Sequence, residues 1–410
     1  MDLEKTIAVL GWGVSGRATY AFLKARGQKV IAWDDQPAAR EKMPAEALVQ
    51  MDETVLASCA CLVTSPGIPD DNHIIIAAQR QGIEVLCDVE LWHRFYPEAK
   101  TIGITGTNGK STLTAMVTHL LERAGYDVRM GGNIGTPVFD MPPPQEGTWT
   151  VLELSSFQIE RCPTFRPTIA ALLNITPDHL DRHKTMERYA AIKASLFEGQ
   201  GDAVIATDDI WTQQIAQMVQ VSGQRFLSRI HGAASAQQQN QNMAIAIAEK
   251  AGVSQDDAQN ALASFTALPH RQEHVAAHSG VAFVNDSKAT NAEASRAALR
   301  GYQDIVWIVG GAPKEGGLQA LEQDLTHVRA ACVIGADTAS FMRWLADHNI
   351  PATHCGDMAR AVDSAWRIAK QGDVKTILLS PACASYDQYL NFVQRGDDFK
   401  NCVQALDTQS

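Results

Sequence analysis

No stretch of the 410-residue chain approaches the roughly 20 consecutive apolar residues of a membrane span, so no membrane partner is expected. Cysteine is sparse and unpaired in pattern. None of the eight (Cys59, Cys61, Cys87, Cys162, Cys332, Cys355, Cys383, Cys402) forms C-x-x-C, and all lie scattered through apolar stretches. That argues against a disulfide framework or a zinc site and for free thiols in a reducing cytoplasm. Positive charge is in deficit, with 35 Lys and Arg against 46 Asp and Glu and a net charge of −11. A chain without a basic excess is not expected to bind nucleic acid, and any anionic ligand must be held by local positive groups. The start, M-D-L-E-K-T, lacks the basic-plus-apolar pattern of a secretion signal, which again points to the cytoplasm. What remains is ordinary globular composition, 45% apolar and 20% charged, over a length that suggests about three domains.

The most informative stretch is residues 101–112, T-I-G-I-T-G-T-N-G-K-S-T. A short apolar run enters a glycine loop, and Leu113, Met116, Val117, Leu120 and Leu121 then recur at helical spacing up to Gly125. Strand, glycine loop and helix start in that order form a phosphate cradle. Glycines let backbone N–H groups approach oxygens, the helix start carries partial positive charge, Lys110 adds a full one, and Ser111 or Thr112 offers a hydroxyl to Mg²⁺. The strict P-loop pattern misses by one position, since its first glycine would fall on Ile104. The expectation is a variant loop that binds nucleotide phosphate.

Upstream, residues 6–10 read as a buried strand leading into Gly11-Trp12-Gly13-Val14-Ser15-Gly16, with a second strand at 30–33 ending in Asp34 and Asp35. This is a dinucleotide-type fingerprint, weak when alone: it fits a phosphate-bearing ligand or simply a helix packed tightly on a sheet. A third strand ends in Ser65-Pro66-Gly67, on the same carboxyl edge. Tyr96-Pro97 and Leu268-Pro269 read as linkers, giving three successive α/β units at 1–97, 98–267 and 268–410. In the middle unit, strands are expected at 151–154, 168–173 and 203–206. The stretch 231–242 shows no apolar periodicity, and a helix is expected only from about Met243. In the last unit, strands are expected at 281–285, 305–309, 331–334 and 376–379, with helices near 292–299, 339–346, 359–369 and 386–394.

Several groups of residues carry candidate chemistry. Glu153 closes a strand beside the phosphate loop, where such sites hold Mg²⁺, although a solvated loop glutamate would look the same. Asp178-His179-Leu180-Asp181 follows another strand end and suits a metal site or acid–base work. Lys193, four residues after Tyr189, reads by itself as one more helix lysine. Arg271, Lys288 and Lys314 are separated cations at loop positions, able to meet phosphate or carboxylate charge and consistent with a domain that closes over nucleotide.

Taken together, G-T-N-G-K-S-T, G-N-I-G (132–135), E-L-S-S-F-Q, L-N-I-T-P-D-H-L-D-R-H, L-P-H-R, N-D-S-K-A-T-N and S-P-A-C-A-S-Y-D-Q-Y-L-N-F give the chain a resemblance to the Mur ligases, the ATP-dependent amide-forming enzymes of peptidoglycan synthesis. The resemblance runs from the first strand to about Lys400 and is nearest to the member that adds D-glutamate. It implies three α/β domains: an N-terminal Rossmann-like domain for a UDP-linked substrate, a central P-loop-type ATPase domain, and a C-terminal Rossmann-like domain for the amino acid. It also implies roles. Gly13, Val14, Ser15, Asp34, Asp35, Ser65 and Gly67 would hold the UDP end of UDP-N-acetylmuramoyl-L-alanine, with Asn133 facing substrate and nucleotide. Gly106, Thr107, Asn108, Gly109, Lys110, Ser111, Thr112, Asn240, Arg271 and Lys314 would hold ATP. Two Mg²⁺ would take Ser111, Glu153, His179 and Lys193, the last as a carbamate derived from CO₂. Lys314, Ser385, Tyr386 and Phe392 would meet D-glutamate. A monomer is expected. Three positions depart from the family pattern: Ala312 stands where an acid precedes the loop lysine, Gln237 where a second asparagine is usual, and Gln36 where a base often sits. Other readings are a relative that attaches another amino acid, such as L-glutamate, or extends a folate, and a non-catalytic nucleotide-sugar-binding protein on the same scaffold.

Overall fold

The computed structural model describes residues 5–266, 268–313 and 317–407. The chain divides into two compact units, residues 1–265 and 266–410. The first unit carries two sheets and the second one, and the α/β architecture expected from the sequence is what forms.

In the first sheet, β1 (Thr6–Leu10), β2 (Val30–Trp33), β3 (Cys59–Thr64) and β4 (Glu84–Leu86) pair in the order β2-β1-β3-β4, all parallel. The second sheet has six parallel strands: β5 (Lys100–Thr105), β6 (Val128–Gly132), β7 (Trp149–Glu153), β8 (Ile169–Leu172), β9 (Gly201–Ala206) and β10 (Arg225–Ile230), ordered β10-β9-β8-β5-β7-β6. The chain turns outward in both directions from β1 and from β5. Each is therefore a switch point, where the carboxyl edge of an open sheet leaves a crevice for ligands. Central strands such as β8 are buried along their length, which is why they read as continuous apolar runs.

The two sheets of the first unit share one apolar cluster, running from Ile7, Val9 and Leu91 to Leu152, Leu154 and Phe165. Polar ties reinforce it. The buried Glu90 carboxylate accepts from Thr164 N (3.0 Å), Phe165 N (2.9 Å) and Thr164 Oγ1 (2.5 Å), and Asp70 receives both Arg161 and Arg182. Cys87 and Cys162 meet across this seam with sulfurs 3.3 Å apart.

The second unit holds β11 (Glu273–His278), β12 (Val281–Asn285), β13 (Ile305–Gly310), β14 (Val328–Ile334), β15 (Ala352–Gly356) and β16 (Thr376–Leu379), ordered β11-β12-β16-β13-β14-β15, with only β11 antiparallel. Among the described residues no helix is long and apolar enough to cross a membrane.

Two helix expectations need correction. The stretch 231–242 is partly helical, because the helix Ala236–Lys250 starts seven residues before Met243, capped by Ser235 Oγ accepting from Gln238 N at 3.1 Å. Its first turn is exposed and the residue buried in its second is the polar Asn240, so apolar periodicity does not mark this part of the helix. The helix expected at 386–394 begins instead at Phe392 and runs to Asp407. Asn391 Oδ1 accepts from Gln394 N (3.0 Å) while Gln394 Oε1 accepts from Leu390 N (2.8 Å), a reciprocal cap that fixes the start and leaves 386–391 as turns.

Candidate functional site

At the carboxyl edge of the first sheet, Gly11 has φ +97° and Gly16 lies so close that a Cβ on it would stand 1.9 Å from the Gly11 carbonyl oxygen. These two glycines shape the turn, whereas nothing lies within 4 Å of a Cβ built on Gly13. Asp34 anchors the turn, accepting from Trp12 N at 2.7 Å and Gln36 N at 2.8 Å. Asp35 accepts from Trp33 Nε1 (3.0 Å) and Asn72 Nδ2 (2.6 Å), and Ser65 Oγ donates to Gly11 O at 3.3 Å. Val14 is exposed, at the start of the helix Val14–Ala25. A Gly16→Ala variant should be destabilised by about 1–3 kcal/mol through overpacking against backbone, read as a lowered Tm; an unchanged Tm would contradict the packing.

The phosphate loop joins β5 to the helix Lys110–Arg123. Gly106 (φ +155°) and Gly109 (φ +82°) occupy backbone conformations that side chains rarely adopt, and a Cβ on Gly109 would lie 2.6 Å from Leu173 Cδ2 and 3.1 Å from Asn240 Oδ1. Asn240 therefore sits against the loop, buried, with its Oδ1 lacking a hydrogen-bond partner. Ser111 is buried in the first helical turn and Thr112 is half-buried. Lys110 Nζ donates to Gly106 O (2.9 Å) and Thr107 O (2.7 Å).

Sequence reasoning missed the side chains that hold this loop. Asn174 Oδ1 accepts from Thr107 N (3.1 Å) and Asn108 N (2.9 Å), and its Nδ2 donates to Asn108 O (3.1 Å). Thr107 Oγ1 shares a 3.2 Å hydrogen bond with the Tyr189 hydroxyl and donates to Thr176 O at 3.2 Å. Asn174 stood in a quoted motif, but nothing local signals a clamp that acts on a loop 66 residues away.

Glu153, at the end of β7, lies opposite Ile104 in the register. Its Oε1 accepts from Asn133 Nδ2 at 2.9 Å, while Oε2 is buried with no hydrogen-bond partner. Asn133 N also donates to Glu153 O at 2.8 Å, so the G-N-I-G turn and the acid form one piece. His179 has φ +56°, a costly backbone for a residue with a Cβ, and its Nε2 lies 3.5 Å from Asp178 Oδ2. Phe157 packs between His179 (4.8 Å) and His183 (5.4 Å).

Lys193 is fully buried, unlike the ordinary helix lysine its neighbourhood in the sequence suggested. Its Nζ donates to Thr105 Oγ1 (3.1 Å) and Gly106 O (3.0 Å) and lies 4.7 Å from the centre of the Tyr189 ring. Burial, then the charge of Lys110, pushes its amine well below the usual lysine range. Loss of the proton leaves a nucleophilic nitrogen beside the loop.

Among the described residues no three His, Cys, Asp or Glu side chains gather into a ready-made metal cluster. Mg²⁺ held with substrate phosphates needs fewer, since it keeps waters and takes phosphate oxygens. The bare, buried Glu153 Oε2 and the Ser111 hydroxyl are hard oxygen donors that fit such an ion.

Arg271, Ser385, Tyr386 and Phe392 belong to the second unit. Ser385 is buried, Tyr386 is exposed, and Lys288 Nζ lies 4.2 Å from the centre of the Phe392 ring. Lys314 lies outside the described residues.

Three family descriptions match the chain: the MurD-like N-terminal domain of Mur ligases over residues 5–87, the Mur ligase middle domain over 104–268, and the Mur ligase glutamate ligase domain over 270–383. The chain belongs to the Mur ligase family. Within it, the chain is similar to UDP-N-acetylmuramoylalanine--D-glutamate ligase from Nitrobacter winogradskyi, at 41% identity covering 98% of this chain and 97% of the relative. The enzyme of the same name from Rhizobium etli is 39% identical, covering 98% and 96%. Among solved structures, the UDP-N-acetylmuramate-alanine ligase of Thermotoga maritima shares the fold with a TM-score of 0.61 at 16% identity, covering 99% of this chain and all of that one.

Proposed function

We propose that the protein joins D-glutamate to UDP-N-acetylmuramoyl-L-alanine through an amide bond, converting ATP to ADP and phosphate, in the cytoplasmic assembly of peptidoglycan precursors. The observation that carries the reading is the shared carboxyl edge of β5 and β7. It joins a clamped phosphate loop with Lys110 to a buried carboxylate oxygen on Glu153 that no protein group uses. Identity of 41% to a D-glutamate ligase over 98% of the chain supports the substrate assignment.

In this reading the alanyl carboxylate oxygen attacks the γ-phosphorus of ATP, the bond to ADP breaks, and an acyl phosphate forms. The glutamate nitrogen then attacks the acyl carbon, the C–O bond to phosphate breaks, and the amine loses a proton. The protein's part is placement and charge. Residues 1–97 hold the UDP end at Gly13, Val14, Ser15, Asp34, Asp35, Ser65 and Gly67. Residues 98–267 hold ATP through the loop 106–112, with Lys110, and through Asn240. Residues 268–410 supply Arg271 and Lys314 to phosphate, and Lys314, Ser385, Tyr386 and Phe392 to the amino acid. Members of this family use ATP and Mg²⁺. Two ions would be held by Ser111, Glu153, His179 and a carbamate on Lys193, and would supply neutralisation of phosphate charge. Alignment of three substrates supplies on the order of 7–11 kcal/mol of the barrier reduction.

Phosphate release measured with UDP-N-acetylmuramoyl-L-alanine, ATP and a panel of D- and L-amino acids tests the assignment. Release is expected with D-glutamate and not with its enantiomer. Turnover with a different amino acid alone, or with none of the panel, would overturn it.

A further inference from the structure

Arg395 is among the largest fully buried side chains of the molecule, and the proposed chemistry leaves it without a task. It sits in the first turn of the helix Phe392–Asp407 and reaches two other segments. Nε donates to Ser287 Oγ (3.0 Å), one terminal nitrogen to Ser287 O (2.8 Å), and the other to Cys383 O (3.0 Å). Ser287 Oγ in turn donates to Phe392 O at 2.8 Å, closing a ring back to the helix start. The same guanidinium flanks Gly311, where a Cβ would lie 3.4 Å from it and 2.4 Å from Ala384 O. Ala312 and Ala384 exchange both backbone hydrogen bonds at 2.9 Å. One side chain thus stands among four segments: 285–288, 310–312, 382–385 and the start of the last helix.

All its hydrogen-bond partners are neutral oxygens, and no described carboxylate forms an ion pair with it, while Asp286 and Asp387 lie near enough to favour its charge. A buried guanidinium facing only carbonyls and a hydroxyl is costly, and packing alone would be served better by an apolar residue of that size. What the guanidinium offers is a planar fork with five donors that fixes several acceptors at set angles. The fork sets the spacing of the residues next to the ones it grips. Lys288 follows Ser287, Ser385 lies two residues after Cys383, and Phe392 opens the helix. Ser385 and Phe392 are assigned above to the incoming amino acid, and Lys288 Nζ packs over the Phe392 ring.

We propose that Arg395 is a positioning residue that fixes the amino-acid site of the second unit by gripping Ser287 and Cys383; this rests on the assignment of Ser385 and Phe392 to that amino acid. Arg395→Lys keeps a charge but loses the fork, and Arg395→Met keeps the bulk. Both should raise KM for D-glutamate, by about tenfold for lysine and more for methionine, because an ångström-scale displacement of contacts is enough for such losses. KM for ATP and for the UDP substrate should stay within about twofold, a split that general destabilisation would not produce. If the methionine variant fails to fold, the lysine variant, checked by its Tm, decides. An unchanged KM for D-glutamate in a folded Arg395→Lys enzyme, or a parallel rise in all three KM values, overturns the proposal. Ser385→Ala and Phe392→Ala separate it from the reading beneath it. If these two leave KM for D-glutamate unmoved, the site assignment fails and the inference with it. If they raise it while Arg395→Lys does not, only the inference fails.

Discussion

Lys110→Ala should abolish ATP-dependent phosphate release, with kcat falling by about a thousandfold or more, the scale lost when a preorganised charge on a transferring phosphoryl group is removed. The chain carries a net charge of −11, so its overall field opposes ATP and local positive charge has to reverse that. In this structure Lys110 Nζ rests on the carbonyls of Gly106 and Thr107, within the loop that leads into the helix start. A phosphate oxygen offers the ammonium a charged acceptor in place of two neutral ones, so the side chain needs only a change of partner to act. Alanine removes the charge and leaves the loop clamped by Asn174, so Tm should change little while turnover disappears. Near-normal turnover in the variant would sink the nucleotide assignment.

Lys193→Ala should lose activity by about a hundredfold, as expected when support for a metal site is removed, and regain part of it when formate or acetate is added. An ammonium beside Mg²⁺ would repel it. The buried amine held below its usual range is the form that attacks CO₂, giving a carbamate anion and a released proton. A small carboxylate entering the space left by the lysine restores an anionic oxygen pair at that place. The wild-type protein labelled with ¹³C-bicarbonate should show a carbamate carbon resonance that the variant lacks. Full activity of the variant unaided, or no such resonance in the wild type, would remove the carbamate.

What was legible in the sequence follows from where the determining contacts lie. Central strands announced themselves because both faces are buried, as in Ile305–Gly310. The edge strands Val128–Gly132, Arg225–Ile230, Glu273–His278 and Ala352–Gly356 mix polar and apolar residues, and pairing with a neighbour, not composition, makes them strands. Lys110, Ser111 and Glu153 could be picked out because strand–loop–helix order is local. Asn174 and Tyr189 could not, since their bonds to the loop span 66 to 82 residues of chain. Lys193 shows the difference most plainly: by sequence an ordinary helix lysine, in the fold a buried amine between Thr105 and Tyr189.

The seam between the two sheets of the first unit has a kinetic meaning. Asp70 and Glu90 tie the segments that follow β3 and β4 to those flanking β8, and a common apolar cluster backs them. The crevice assigned to the UDP substrate and the loop assigned to ATP thus stand on one compact unit whose two sheets share an apolar cluster. The distance between these two assigned sites is then carried by the packing of that unit and is in place before either ligand arrives.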